Sequence, residues 1–324
     1  MADRRAFIGG VAAGVFALAF MARAQQRVKV FRVGTLASTG GTAWDAFRQS
    51  MRELGYVEGR DLLIEERFAQ GQPDRFSALA ADLVDSKVDV IVTSSTQASL
   101  AARSATTSIP IVMALSAYPE KMGLVESLAR PGGNVTGFTN VAPQLSGKRF
   151  ELLLQLAPKV SRLAMLWDPS SRIEVTAMPD NKAAAAAIGM ELVSVEVRGR
   201  DDYVAAFAAV KAQRADAITV NGNPVNFANA KQITDFIVGS QLPSVFDVRL
   251  FVDAGGLLSY GTDYLDLFRR AAGYVDKIFK GAKPGDLPVQ QPTKFELVIN
   301  ARTAKSLNLA VPSELLLRAD QVLQ

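Results

Sequence analysis

A cluster of hydroxyl side chains, Ser94, Ser95 and Thr96, carries the most distinctive chemistry in the sequence. It follows the apolar, β-branched run 88–93 and precedes the Ala-rich segment 98–102, a pattern that predicts strand, turn and helix. A hydroxyl residue caps the first turn of a helix, and the helix dipole and its first amides attract anions. The cluster therefore predicts a site for a carboxylate-sized group. A capped helix without a ligand is the alternative.

Polar side chains also stand where other predicted strands end, and we predict that they line one cleft with the hydroxyl cluster. In the first half of the chain these are Thr35, Tyr118 and Asn140. In the second half they are Trp167, Asp168, Asn221, Asn223 and Asp247, with Tyr260 as a weaker candidate. Only the second group contains carboxylates, so the cleft suits a zwitterion whose ammonium binds Asp168 or Asp247. Each of these polar residues is also typical of a turn or of strand packing, and that alternative stays open.

The amino-acid composition excludes most kinds of catalytic and metal-binding site. The chain has no His and no Cys, so it lacks histidine triads, thiolate nucleophiles and the commonest metal ligands. The glycine pairs at 9–10, 132–133 and 255–256 do not have the spacing of phosphate loops. We therefore predict a binding protein with no catalytic residues, no metal and no cofactor. An exported enzyme that uses a Ser–Lys or carboxylate pair is the less favoured alternative.

The first 24 residues have the pattern of an export signal. Arg4 and Arg5 precede the apolar stretch 7–20, and Ala22-Arg23-Ala24 fits the small-x-small cleavage pattern. The apolar run is shorter than the roughly 20 residues that span a membrane. The lack of Cys excludes a lipoprotein. We expect cleavage near Ala24 and a periplasmic protein, exported by either the general or the twin-arginine route.

The length and composition are those of an α/β protein with two domains. The chain has 324 residues, about two domains in length, and 49% of them are hydrophobic. The net charge of +4 is small and dispersed, which argues against nucleic acid as a partner. Predicted strands and helices alternate through two successive units, with helices over 181–188 and 264–280 in the second half. This alternation predicts parallel sheets covered by helices, with ligands beyond the carboxyl ends of the strands.

Three segments carry a resemblance to a known family: 128–137 (LARPGGNVTG), 291–300 (QPTKFELVIN) and 315–320 (LLLRAD). The chain from Val28 onward resembles the ABC-transporter substrate-binding proteins of the tryptophan/tyrosine type, which have the type I periplasmic binding protein fold. The resemblance implies two Rossmann-like lobes hinged by three crossovers, near Thr139-Asn140, Asp247-Val248 and Lys283-Pro284. Lobe 1 would comprise 28–138 plus 248–283, and lobe 2 would comprise 139–247 plus 284–324.

The same resemblance implies a function. The lobes would close on a small molecule that bears a carboxylate, and the protein, expected to be a monomer, would deliver it to an ABC permease at the inner membrane. Relatives commonly place an Asp before the Pro after the fourth strand, whereas this chain has Ala117-Tyr118-Pro119. That departure suits an amino acid less well than an aromatic or other organic acid, and both remain candidates. A sensor module that reports its ligand to a membrane receptor would share the fold and is the alternative function.

Overall fold

Two sheets, each covered by helices on both faces, organise the chain. The computed structural model describes residues 29–141 and 145–324. The predicted export signal, 1–24, lies outside the described residues. Within the described part, no helix has both the length and the apolar character needed to cross a membrane.

The described elements alternate between strand and helix over most of their length. The strands are β1 (Phe31–Ala37), β2 (Leu62–Phe68), β3 (Val90–Thr93), β4 (Ile111–Met113), β5 (Val135–Gly137), β6 (Arg162–Trp167), β7 (Glu191–Glu196), β8 (Ala217–Val220), β9 (Ser244–Phe246), β10 (Leu258–Thr262), β11 (Phe295–Asn300) and β12 (Gln321–Leu323). The helices are α1 (Thr42–Glu53), α2 (Phe76–Asp85), α3 (Thr96–Ala105), α4 (Ser146–Leu156), α5 (Arg172–Ala187), α6 (Tyr203–Ala212), α7 (Pro224–Ala228), α8 (Ala230–Gly239), α9 (Leu250–Asp253), α10 (Tyr264–Phe279), α11 (Ala301–Ser306) and α12 (Ser313–Arg318).

The first lobe is built on a parallel sheet with strand order β2-β1-β3-β4-β5. Helices α1 and α10 cover one face, where the Trp44 ring meets the Phe268 ring edge-on at 4.9 Å. Helices α2 and α3 cover the other face through Phe76, Leu83 and Ala98. Strand β3 is buried on both faces, which explains its uninterrupted apolar sequence.

The second lobe is built on a larger sheet with strand order β12-β11-β10-β9-β8-β6-β7. All neighbours are parallel except β10 and β11, which are antiparallel. Its apolar residues pack on both faces, around Tyr203 and Phe246 on one side and around Phe150 and Leu297 on the other. Both sheets are therefore doubly wound, as the alternation of elements predicts.

The second crossover lies later in the chain than the sequence analysis placed it. Residues 248–262 were assigned to lobe 1, but β10 is hydrogen-bonded between β9 and β11 of the second sheet. Phe251 also packs in the core of lobe 2. The chain returns to the first lobe between Thr262 and Tyr264, where α10 begins and packs on α1. The apolar sequence of β10 would suit a strand in either sheet. Its pairing with β11 places it in the second sheet, and that contact between distant residues cannot be inferred from the sequence of β10 alone.

The third crossover also lies later than predicted. Residues 284–290 were assigned to lobe 2, yet Gln290 pairs with Phe138 beside β5 of the first lobe. The Thr136 hydroxyl donates to the carbonyl of Leu287 at 2.6 Å. The chain crosses between Gln290 and Phe295. The first crossover, after Asn140, leads into α4 of the second lobe.

The close approach of β10 to Asp247 depends on a glycine. A Cβ added at Gly261 would lie 1.9 Å from the carbonyl oxygen of Asp247. We expect Gly261→Ala to lower the free energy of unfolding by about 2 kcal/mol, because backbone atoms must move apart. Gly273→Ala is the matched control. Gly273 lies in α10 with no atom within 4 Å of the added Cβ, so alanine there should stabilise by about 0.5–1 kcal/mol. Urea denaturation measures both, and equal effects of the two substitutions would contradict this account.

Candidate functional site

A cavity lies between the two lobes, at the carboxyl ends of their strands. It encloses about 420 Å³ of empty space, including the part open to solvent at its mouth. The lining residues are Ser94, Ser95, Thr96, Gln97, Leu115, Ala117 and Asn140 from the first lobe, Ser171, Ile173, Glu174, Gly222, Asn223, Pro224 and Phe227 from the second, and Tyr264 beside the second crossover.

The first helix turn of α3 presents backbone amides to this cavity. Ser95 is the N-cap, and its Oγ accepts a hydrogen bond from the amide of Ala98 at 3.1 Å. The amides of Ser95, Thr96 and Gln97 have no acceptor among the described residues. Since these residues line the cavity, their N–H groups and the helix dipole can attract an anion to the wall of lobe 1.

The hydroxyl of Thr96 holds the neighbouring loop in place. Its Oγ1 accepts from the amide of Ala117 at 2.8 Å and from the Ser116 hydroxyl at 3.1 Å. Ser95 and Thr96 are 8% and 4% exposed. The Thr96 hydroxyl is thus used within the protein, whereas in the described part of the chain the Ser95 hydroxyl only accepts a hydrogen bond, so its O–H group and the backbone amides are the donors left for an anion. Ser95 therefore both caps the helix and lines the cavity.

Asn140 offers an acceptor at the same end of the cavity. Its backbone amide donates to the carbonyl of Ser116 at 2.9 Å, which ties it to the loop that Thr96 holds. Its Oδ1 is buried and has no hydrogen-bond partner in the part of the chain that is described. The side-chain amide lies within reach of the Tyr264 hydroxyl, whose pKa is raised, mainly by burial. A buried acceptor of this kind is costly unless a ligand or water supplies a donor.

The second lobe contributes a buried carboxylate, Glu174. The side chain is 5% exposed. Its Oε1 accepts from Asn223 Nδ2 at 2.7 Å, and its Oε2 accepts from Asn221 Nδ2 at 3.1 Å and from the amide of Asp168 at 3.0 Å. Burial raises the pKa of Glu174 to about 7, against the opposing effect of these hydrogen bonds. The site therefore holds a carboxylate that a cation would stabilise in its ionised form.

Sequence reasoning missed Glu174, although a local signal was present. Ser171 is the N-cap of α5 and accepts from the amide of Glu174, so Ser171-x-x-Glu174 has the spacing of a capping box. The sequence analysis began this helix at residue 181, whereas in the structure the helix continues through Pro179. The structure starts the helix at Arg172, which brings Glu174 to the cavity.

Glu174 occupies the position that the sequence analysis gave to Asp168 or Asp247, neither of which lines the cavity. Asp168 Oδ1 accepts from the amide and the hydroxyl of Ser170, as a turn former does. Asp247 Oδ2 accepts from the amide of Gly222 at 3.2 Å, which places it behind the cavity wall. Burial raises the pKa of Asp247, and the buried Arg149 opposes that effect.

Among the predicted polar residues, Ser94, Ser95, Thr96, Asn140 and Asn223 line the cavity. Asn223 caps α7 and also holds Glu174, whereas Asn221 stands one layer back and bonds Glu174. The remaining candidates do not line the cavity. Trp167 donates to Ser194 at 2.6 Å on the edge of the second sheet, and Tyr260 packs near Phe295. Thr35 is buried within β1, and the Tyr118 hydroxyl is buried near Asp180.

The lobes also touch outside the cavity. The Ser38 hydroxyl donates to the carbonyl of Pro224 at 3.2 Å and accepts from the amide of Gly71 at 3.2 Å. A Cβ added at Gly71 would lie 2.5 Å from the Cβ of Ala228. Such direct contact between loops of lobe 1 and α7 of lobe 2 describes a closed cleft.

The arrangement can bind a small molecule with two opposite charges. One wall offers unpaired amides for an anion, the other offers a carboxylate for a cation, and apolar side chains lie between them, among them Leu115, Ile173 and Phe227. These groups complement the charges of a zwitterion.

Comparisons with known proteins cover both lobes. A family model described as ABC transporter substrate binding protein matches residues 41–323. A tyrosine-binding protein of Clostridioides difficile strain R20291 is 27% identical over 266 residues, which is 81% of this chain and 75% of that protein. The structure of an ABC domain in complex with L-Trp from Streptococcus pneumonia has a TM-score of 0.83 and 26% identity, and covers 91% of this chain and 100% of that chain. A conserved domain protein from Vibrio cholerae has a TM-score of 0.84 and 29% identity with the same coverage.

Proposed function

The chain belongs to the family of ABC transporter substrate-binding proteins, and we propose that it captures a free α-amino acid with an aromatic or other apolar side chain. The family membership confirms the resemblance seen in the sequence motifs. Members of this family are solute-binding components of transport systems and not enzymes. The type I periplasmic binding fold is likewise shown by the structural likeness.

One observation carries the proposal: backbone amides without acceptors among the described residues lie on one wall of the cavity, and a buried carboxylate lies on the other. The amides of α3 would bind the α-carboxylate, and Glu174 would bind the α-ammonium. Leu115, Ile173, Pro224 and Phe227 would contact the side chain. The relatives support the same choice, since one is described as tyrosine-binding and another is complexed with L-Trp. An organic acid without an amine would leave the buried carboxylate of Glu174 without a cation beside it, which is unfavourable.

The rest of the transport cycle follows from this role. The family implies a permease of the ABC type as partner, and we propose that the closed, loaded protein delivers its amino acid there. We also retain the proposals that residues 1–24 direct export and that the mature protein acts outside the cytoplasm as a monomer.

A thermal-shift and calorimetry screen on the mature protein tests the proposal. L-tryptophan, L-tyrosine, L-phenylalanine and L-leucine would be compared with 3-indolepropionate, which lacks the amine, and tryptamine, which lacks the carboxylate. We expect one or more of the amino acids to bind with a dissociation constant near micromolar, about −8 kcal/mol. Both truncated analogues should bind far more weakly. Equal binding of 3-indolepropionate would reject the zwitterion.

We expect binding of the amino acid to weaken as the pH falls through 7. The pKa of Glu174 is about 7 in the ligand-free site, and an ammonium beside it favours the ionised form, so binding releases a proton below that pH. The affinity therefore approaches its full value well above pH 7 and should fall about 8-fold between pH 7.5 and pH 6. Calorimetry at several pH values measures this, and the slope should vanish in Glu174→Gln. An affinity that rises as the pH falls would contradict the assignment.

A further inference from the structure

The number of acceptors around Glu174 limits how it can bind an ammonium group. A carboxylate has about four lone-pair sites, and an ammonium has three N–H donors. Three protein donors, the side chains of Asn221 and Asn223 and the amide of Asp168, already occupy the Glu174 oxygens. About one site therefore remains for the ligand, and the other N–H groups need an acceptor elsewhere.

Among the described residues that line the cavity, Asn140 is the one whose side-chain acceptor atom is buried and has no hydrogen-bond partner. It is fixed relative to the anion site, because its amide bonds Ser116 and the Ser116 hydroxyl bonds Thr96 at 3.1 Å. In an α-amino acid the ammonium and the carboxylate sit on the same carbon. An acceptor anchored beside the carboxylate site is therefore placed for the ammonium and not for the far end of a side chain.

We propose that Asn140 is a specificity-determining residue, whose Oδ1 accepts a hydrogen bond from the ligand's α-ammonium while Glu174 accepts another from the opposite lobe. This inference rests on the proposed function. Asn140 and the amides of α3 belong to lobe 1, so an open cleft already offers partners for both charges of the amino acid. Closure then brings Glu174 to the same ammonium and moves it out of water.

Matched ligand pairs test the role of Asn140. L-tryptophan is compared with 3-indolepropionate, and L-tyrosine with 3-(4-hydroxyphenyl)propionate, each by calorimetry or, for weak binding, by ligand-detected NMR. In Asn140→Leu we expect the preference for the amino acid over its des-amino partner to fall about 10-fold, the cost of a hydrogen bond to a charged group. Asn140→Asp keeps an acceptor and should restore the preference.

The outcomes separate the possible roles. A merely structural Asn140, or one that contacts the ligand's side chain, would weaken both members of a pair equally, and that result overturns the inference. An unchanged preference in Asn140→Leu also overturns it. Failure of the wild-type protein to prefer either amino acid over its des-amino partner would instead reject the proposed function, before any variant is considered.

Discussion

Glu174→Gln is expected to weaken the binding of the preferred amino acid by about 1,000-fold, the largest effect of any substitution considered. The ligand's ammonium leaves water for a buried site, and breaking a buried charge pair costs about 3–5 kcal/mol. Glutamine keeps the size of the side chain but removes its charge. Its NH₂ group would also face the side-chain amides of Asn221 and Asn223, which donate to the carboxylate in the native protein.

The effect on folding should be smaller than the effect on binding, because two changes oppose each other. Burial disfavours the ionised form of Glu174, so the loss of its charge is favourable in the empty site, whereas the glutamine NH₂ group cannot accept the hydrogen bond that an asparagine donates to the carboxylate. Glu196→Gln, on the exposed edge strand β7, is the matched control and should bind like the wild type. Calorimetry with L-tryptophan and L-tyrosine measures both variants. Binding within 3-fold of wild type in Glu174→Gln would show that the ammonium lies elsewhere.

The capped start of α3 was predictable because it is encoded locally. A buried strand, a hydroxyl cap and an Ala-rich helix follow one another within about fifteen residues, and the structure has β3, Ser95 as N-cap and α3 in that order. The unpaired amides at the helix start follow from helix geometry alone. The sequence did not show that the Thr96 hydroxyl is used within the protein, because the loop that it anchors comes 21 residues later.

The identity of the carboxylate that lines the cavity depended on information that local patterns do not contain. Asp247 follows a strand as predicted, but the amide of Gly222 on the neighbouring strand end determines where its carboxylate lies. Glu174 faces the cavity only because α5 starts before Pro179 and packs across the cleft, with Ile173 against the core of lobe 1. The membership of β10 in the second sheet likewise depends on its pairing with β11. In each case a contact between residues distant in sequence decides which side chain lines the cavity or which sheet a strand joins.

The contribution of the α3 amides can be isolated with two substitutions at one position. Thr96→Val removes the hydroxyl and keeps the N–H, whereas Thr96→Pro removes both. Proline is well tolerated at the first position of a helix, and the preceding Ser95 has the extended backbone that a residue before proline requires, with φ −160° and ψ 162°. Both variants should lose about 1–2 kcal/mol of stability, because the amide of Ala117 loses its acceptor.

Only Thr96→Pro should also lose a donor to the ligand's carboxylate. We expect it to bind L-tryptophan and 3-indolepropionate about 30-fold more weakly than Thr96→Val does, as for one hydrogen bond to a charged group. Tryptamine, which has neither a carboxylate nor a carbonyl oxygen, should bind the two variants equally. If the two variants bind all three ligands alike, the amide of Thr96 does not hold the carboxylate. The anion site would then have to be placed away from the start of α3, even though its N–H groups have no acceptor among the described residues.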